Sequence, residues 1–194
     1  EGYLGLTVPA EYGGRGLGAK EYGILCEEIA RASAAYVHNG HYQTQKMLLH
    51  YGTEEQRREF LPRLASGEWL AATAVSEREV GSSFSGMAST ARKEADGYVL
   101  NGEKVHINDA AEAEVINFFA LGPRGLTIFL VDPASPGFRI VESNTIPSFT
   151  NGGAHGATIT SPAASGAETA ITSSTTHVDI LITTNDVDGF ENVF

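Results

Sequence analysis

Between residues 67 and 69 the hydrophobic period of this chain changes, and that change limits what it can fold into. Before it, apolar side chains recur every three to four positions; after it, they alternate or run in short β-branched and aromatic blocks. Tyr22, Leu25, Cys26 and Ile29 stand at i, i+3, i+4 and i+7, one face of a helix expected over about 18–35. A second helix is expected from near Gly40, with Thr44, Met47, Leu48 and Tyr51 on one stripe and Gly52 as a left-handed C-terminal residue. Thr53 starts a third. Its hydroxyl can cap the helix while Gln56, three residues on, reaches back, and Glu54 and Glu55 suit the positive end of the dipole. Pro62 interrupts that ladder and Gly67 closes it.

From Trp69 onward the segments 89–93, 98–100 and 104–107 are separated by Asp96-Gly97 and Asn101-Gly102. Both dipeptides supply the positive φ angles of tight hairpins, so a meander is expected. Residues 115–121 and 126–132, with Pro123 and Gly125 between them, read as central strands. The Ser/Thr/Ala-rich tract 161–176 reads as a long loop or edge hairpin before a last apolar stretch at 178–182. Helices first and strands after, with no βαβ alternation, predict an α+β chain: a helical segment over 1–68, then antiparallel strands. A Rossmann site is thereby disfavoured, and Gly13, Gly14 and Gly16, which follow Pro-Ala-Glu-Tyr and not a strand, read as a turn.

Acidic residues outnumber basic ones 24 to 13, and the net charge of −11 repels phosphate backbones and anionic lipid surfaces, so nucleic acid is not expected as a partner. The longest apolar runs fall far short of the roughly 18–20 residues of a membrane span. One cysteine, Cys26, leaves no intrachain disulfide and reads as a small buried thiol. With Glu at position 1 and no targeting signal, the chain is expected to begin inside a longer polypeptide, and a cytoplasmic location is the default.

Hydrolytic and metal chemistry find no motif. There is no GxSxG elbow and no HExxH; the one close histidine pair, His38 and His41, reads as surface or capping, and no metal site is expected. Glu77 and Glu79 carry the functional group of a base but read as a solvated turn. Two segments remain: the loop Val75-Ser76-Glu77-Arg78-Glu79-Val80-Gly81-Ser82-Ser83, and the stretch from Asn101 to Asn108. A loop leaving a strand with small residues exposes N–H groups and hydroxyls that can bind a diphosphate or a heterocycle edge, but taken alone it reads as an ordinary polar loop.

Five motifs decide between these in their order along the chain: Gly5-Leu6-Thr7-Val8-Pro9-Ala10-Glu11-Tyr12-Gly13-Gly14, Tyr51-Gly52-Thr53-Glu54-Glu55-Gln56, Leu61-Pro62-Arg63-Leu64-Ala65-Ser66-Gly67-Glu68, Ser76-Glu77 with Gly81-Ser82, and Asp96-Gly97-Tyr98-Val99-Leu100-Asn101-Gly102-Glu103-Lys104. Together they resemble the acyl-CoA dehydrogenase family over residues 1 to about 160. The resemblance implies a partial N-terminal helical domain over 1–68, a β-barrel-like middle domain over 69–187, and the start of a C-terminal helical domain at 188–194, with the rest of that bundle absent. It also implies an FAD flavoprotein in which a carboxylate removes the α-proton of an acyl thioester of coenzyme A or a carrier protein. The flavin takes the β-hydride, leaving a 2,3-enoyl product. An electron-acceptor protein and, for the full-length protein, a homo-oligomer belong to the same picture.

Carried over residue by residue, the resemblance sets Val75 and Ser76 at the flavin edge and Gly81 with Ser82 near the diphosphate or the substrate. His106 and Asn108 stand where the family has a Trp and a hydroxyl residue against the ring, and Ser83 stands where it has Asp. Losing the indole removes stacking surface; a histidine there can donate to the ring, place positive charge beside it, or face solvent. The family's catalytic Glu belongs to the C-terminal bundle, so no catalytic residue is assigned. Two rival readings are a flavin-dependent monooxygenase of the same fold, and a flavin-free scaffold in which the changes at 83, 106 and 108 record lost cofactor binding.

Overall fold

The computed structural model describes residues 2–32, 38–94, 97–146, 154–160, 169–172 and 182–183. Among these residues three α-helices come first, after a short 3-10 turn at Ala10–Tyr12. In α1 (Ala19–Ala32) the stripe of Tyr22, Leu25, Cys26 and Ile29 is only half-buried, so Cys26 is not the buried thiol its pattern suggested. Helix α2 (Asn39–Tyr51) buries Thr44, Met47 and Leu48. It ends on Gly52 in extended backbone, φ −68° and ψ 152°, and not in the expected left-handed conformation. The physical reason lies in the next residue: Thr53 is itself the N-cap of α3 (Glu54–Ser66), so the chain passes straight from one helix end into the next cap. Glycine is suited to that junction for its size, because a β-carbon at 52 would meet the Leu48 carbonyl oxygen at 2.6 Å.

Helix α3 is framed by residues close in sequence. The Thr53 hydroxyl accepts from the Gln56 N–H and the Gln56 side chain accepts from the Thr53 N–H, satisfying two donors that a helix start leaves open. Pro62 removes one ladder donor without ending the helix, and Gly67 closes it at φ 80°.

Ten strands follow among the described residues: β1 (Ala71–Ala74), β2 (Thr90–Glu94), β3 (Gly97–Asn101), β4 (Glu103–Asn108), β5 (Val115–Gly122), β6 (Gly125–Val131), β7 (Arg139–Ile146), β8 (Ala154–Thr160), β9 (Thr169–Thr172) and β10 (Ile182–Thr183). They form a seven-stranded sheet in the order β10-β6-β5-β2-β3-β9, with β1 also on β5, and a three-stranded sheet β4-β8-β7. The expectation of a wholly antiparallel region is corrected: β1 runs parallel to β5 from Ala71↔Val115 to Ala74↔Phe118, and β2 touches β5 in parallel at Thr90↔Leu121. Alternation reveals that a segment is a strand but not which way its neighbour runs, and the long excursion between β1 and β5 provides the crossover that parallel pairing requires. Thus the fold is α+β with a mixed main sheet.

The second correction concerns Asn101-Gly102, which joins two sheets and is no hairpin. β3 belongs to the larger sheet, β4 to the smaller one, and neither Asn101 nor Gly102 has a positive φ. The hairpin between β5 and β6 is present in register from Ile116↔Val131 to Gly122↔Gly125. β2 and β3 pair antiparallel from Thr90↔Asn101 to Glu94↔Gly97, although Asp96 itself lies outside the described residues. Within the Ser/Thr-rich tract, β9 lies along β3; residues 161–168, 173–181 and 188–194 lie outside the described residues.

The main sheet is covered on both faces, which explains why β5 and β6 read as continuous apolar runs. Along β5, Val115 and Phe119 face the helices with Leu48, Phe60, Leu61 and Leu64, while Ile116, Phe118 and Ala120 face the other side with Tyr98, Leu100, Ile107 and Phe129. Alanines at 71, 72 and 74 of β1 let α2 come close: a β-carbon on Gly40 would lie 2.9 Å from the Thr73 nitrogen. This close approach brings the start of α2 to the end of β1, where the cleft described next opens.

Candidate functional site

β1 ends at Ala74 and the chain leaves the sheet through the loop 75–89. Two contacts shape it. Glu77 and Val80 exchange backbone hydrogen bonds at 2.9 and 3.2 Å across a tight turn, and the Val105 N–H of β4 donates to the Ser76 carbonyl at 2.9 Å. The loop is therefore tied to β4 along its backbone.

A buried ion pair ties it a second time. Glu77 was expected in a solvated turn, but its carboxylate is buried and accepts from Lys104 Nζ at 2.8 Å, the Ala88 N–H at 2.7 Å, the Ser89 N–H at 3.0 Å and the Ser89 hydroxyl at 2.5 Å. Burial works against the charge, yet the donors led by Lys104 and the Ser89 hydroxyl outweigh it and hold the carboxyl down to about 2. Lys104 is fully buried; its ammonium also donates to the Val75 carbonyl at 3.1 Å and lies 5.1 Å from the centre of the Phe118 ring. Burial lowers the Lys104 pKa and Glu77 works to raise it again. Glu79, by contrast, is exposed on the turn as expected.

β4 carries the second irregularity. Its pairing with β8 shifts between Lys104 and Ile107, and His106, within that irregularity, has φ 58°. A bulge re-aims the side chain it carries: His106 is exposed while Lys104, Val105 and Ile107 are buried. Asp109, at φ 60°, accepts from the His38 ring at 3.1 Å, and that hydrogen bond raises the His38 pKa against the opposing effect of burial.

Between the loop, the bulge and α2 lies a cleft of about 500 Å³. Val75, Ser76, Gly81 and Ser82 line it from the loop, His106 and Ile107 from β4, Gln43 and Met47 from α2, and Thr73, Phe84 and Phe119 complete it. Five of the six residues singled out in the sequence meet here; Asn108 is exposed on β4 and is not part of the lining. Gly81 leaves open space where a β-carbon would stand. Among the described residues neither the N–H nor the hydroxyl of Ser76 has a hydrogen-bond partner. No carboxylate lines the cleft among the described residues, and no group of three His, Cys, Asp or Glu side chains there could hold a metal ion.

Sequence reasoning missed Lys104, whose partner Glu77 is 27 positions away, and the contribution of α2 through Gln43 and Met47. It also misplaced His41. That ring is buried, takes the Ala71 N–H on Nδ1 at 3.1 Å and places Nε2 at 3.0 Å from the Leu64 carbonyl, so it joins α2, α3 and β1. Since Nδ1 accepts, the ring is neutral, and Nε2 also lies 2.8 Å from the Gln45 amide nitrogen. Burial accordingly lowers its pKa to about 4.

Comparison with known proteins names this arrangement. Residues 1–68 match the family model for the acyl-CoA dehydrogenase N-terminal domain, and residues 72–160 match that for the acyl-CoA dehydrogenase middle domain. The chain belongs to the acyl-CoA dehydrogenase family. Mitochondrial isovaleryl-CoA dehydrogenase of Pongo abelii is 38% identical over 149 residues, which is 71% of this chain and 35% of that protein. The L-prolyl-[peptidyl-carrier protein] dehydrogenase of Pseudomonas fluorescens is 35% identical over 154 residues, 73% of this chain and 40% of that one. Among solved structures, a glutaryl-CoA dehydrogenase from Mycobacterium smegmatis in complex with FADH2 superposes with a TM-score of 0.72 at 29% identity, covering 82% of this chain and 42% of that one. The chain thus spans well under half the length of these members of the acyl-CoA dehydrogenase family.

Proposed function

We propose that this chain carries the flavin-facing part of an FAD-dependent dehydrogenase that converts an acyl thioester, of coenzyme A or of a carrier protein, to its 2,3-enoyl form and passes the electrons to an acceptor protein. The observation that supports it most is the convergence of Val75, Ser76, Gly81, Ser82 and His106 on one cleft from two segments of the chain. The size of the cleft falls within the range of small-molecule and cofactor sites. The related chains named above act on coenzyme A and carrier-protein thioesters, and one is solved with FADH2.

The residues present fit a planar, polar-edged cofactor. Ser76 offers a backbone donor and a hydroxyl, both without a partner among the described residues. Gly81 and Ser82 are exposed, and the open space at Gly81 allows the backbone to approach a charged group closely. Val75, Ile107 and Phe119 supply an apolar wall that excludes water from a ring lying against it. FAD, when bound, supplies the hydride acceptor. Glu77 cannot serve as the base, because its carboxylate is committed to Lys104, Ser89 and two backbone amides. In our reading the α-proton leaves to a carboxylate outside this cleft lining.

The test is spectroscopic. Adding FAD to the purified complete gene product is expected to shift the visible flavin band and raise the melting temperature, and an acyl thioester is expected to bleach the bound flavin in the absence of oxygen. A protein that takes up no FAD and shows no thermal shift would be a scaffold, and this reading would be abandoned.

A further inference from the structure

Among the described residues the Val75–Ser76 peptide is held from one side only. Its carbonyl accepts from Lys104 Nζ at 3.1 Å, inside the protein, where Lys104 is fully buried. In a planar trans peptide the carbonyl and the following N–H point in opposite directions. The Ser76 N–H therefore points away from Lys104, on a residue that lines the cleft. The same lysine is fixed by Glu77 at 2.8 Å, and Glu77 by three further donors from Ala88 and Ser89. The Ser76 carbonyl is held in turn by the Val105 N–H, so the peptides on both sides of Ser76 are anchored to β4.

We propose that Lys104, braced by Glu77, is a positioning residue that aims the Ser76 N–H into the cleft as a preset donor for an electron-rich ring atom of the cofactor. The inference rests on the flavin reading given above. A donor without a partner among the described residues, on peptides anchored to either side, is good preorganisation: the cost of orienting it is met during folding, and binding recovers the bond without ordering those peptides. Lys104 touches neither cofactor nor substrate in this scheme. It acts through the peptide plane.

A buried ion pair replaced on both sides by apolar residues is often neutral or better for stability, whereas loss of one partner strands the other. The double variant Glu77→Met with Lys104→Met in the complete gene product therefore separates aiming from folding. Its melting temperature is expected to fall, since the Ala88 and Ser89 donors lose their acceptor; measured well below that midpoint, where circular dichroism shows it folded, its dissociation constant for FAD, read by flavin fluorescence, rises about tenfold, the equivalent of one charge-oriented hydrogen bond. A measurement on the wild type needs no variant: hydrogen exchange at the Ser76 amide is expected to slow at least about tenfold when FAD is added, with the Val105 amide, already bonded, unchanged. If the wild type binds FAD while the double variant binds it equally well, or while the Ser76 amide stays unprotected, the aiming role is overturned and the flavin reading stands. If the wild type takes up no FAD, both are overturned.

Discussion

A β-carbon on Gly102 would lie 2.1 Å from the Ser89 hydroxyl and 2.9 Å from the Ser89 α-carbon, so the passage between the two sheets is closed on that serine. Ser89 in turn donates to Glu77. Gly102→Ala is expected to destabilise the protein by about 1–3 kcal/mol, because backbone must move as well as a hydroxyl. Gly81→Ala, where the new methyl meets nothing within 4 Å, is expected to change stability by less than about 0.5 kcal/mol. Urea midpoints of the two variants check this; equal losses would contradict the packing argument.

The Glu77 carboxyl is held near 2, below its ordinary 4.5, so the unfolded chain takes up a proton there before the folded one does. The stability it contributes is complete above pH 4.5 and is lost as pH falls from 4.5 towards 2, a change on the order of 3 kcal/mol. Glu77→Gln removes that acid slope. It also leaves Lys104 without its charge partner and is expected to lower stability at neutral pH by about 3–5 kcal/mol. Denaturation curves from pH 7 to pH 2.5 for the two proteins test both statements.

His41 produces a second, higher window. Its folded pKa of about 4 lies below the ordinary 6.5, so above pH 6.5 both states are neutral and the residue contributes no pH dependence. As pH falls from 6.5 to 4 the unfolded state gains the proton first, and stability drops by roughly 3 kcal/mol. The ring signal of His41 in an NMR titration is expected to hold its neutral shift down to about pH 5. Protonation with a midpoint near 6.5 would mean that the bond from the Ala71 N–H to Nδ1 is absent.

His106 lines the cleft from a bulge with φ 58°, and the proposed flavin reading sets its ring beside the cofactor. His106→Trp is expected to tighten FAD binding by about three- to tenfold, the range of one aromatic stacking contact. Flavin fluorescence titration reads the change directly. Unchanged or weaker binding would show that a ring at 106 does not lie against the cofactor.

What could be read from the sequence was what is local in it. Thr53 and Gln56 are three positions apart and announce their capping box; Pro123 and Gly125 announce the β5–β6 turn. Asn101-Gly102 carries the same local signal as a hairpin, yet its glycine answers to Ser89, thirteen positions earlier, and only the assembled sheets show that a close approach and not a turn is required. Glu77 looked solvated because its four hydrogen-bond donors come from Ala88, Ser89 and Lys104, none of which a loop reading brings near. The cleft residues of the loop and of β4 were found through motifs, whereas Gln43 and Met47, on an amphipathic helix, carried no signal beyond helical packing.

The parallel pairing of β1 with β5 also sets a timetable. Ala71 leaves the ribosome 44 positions ahead of its partner Val115, which at common rates of synthesis is roughly 2–9 s. During that interval Leu48, Phe60 and Leu64 have no sheet to cover them, since the strands they pack against include β5 and β6. These apolar side chains stay uncovered by the sheet until β5 and β6 have emerged.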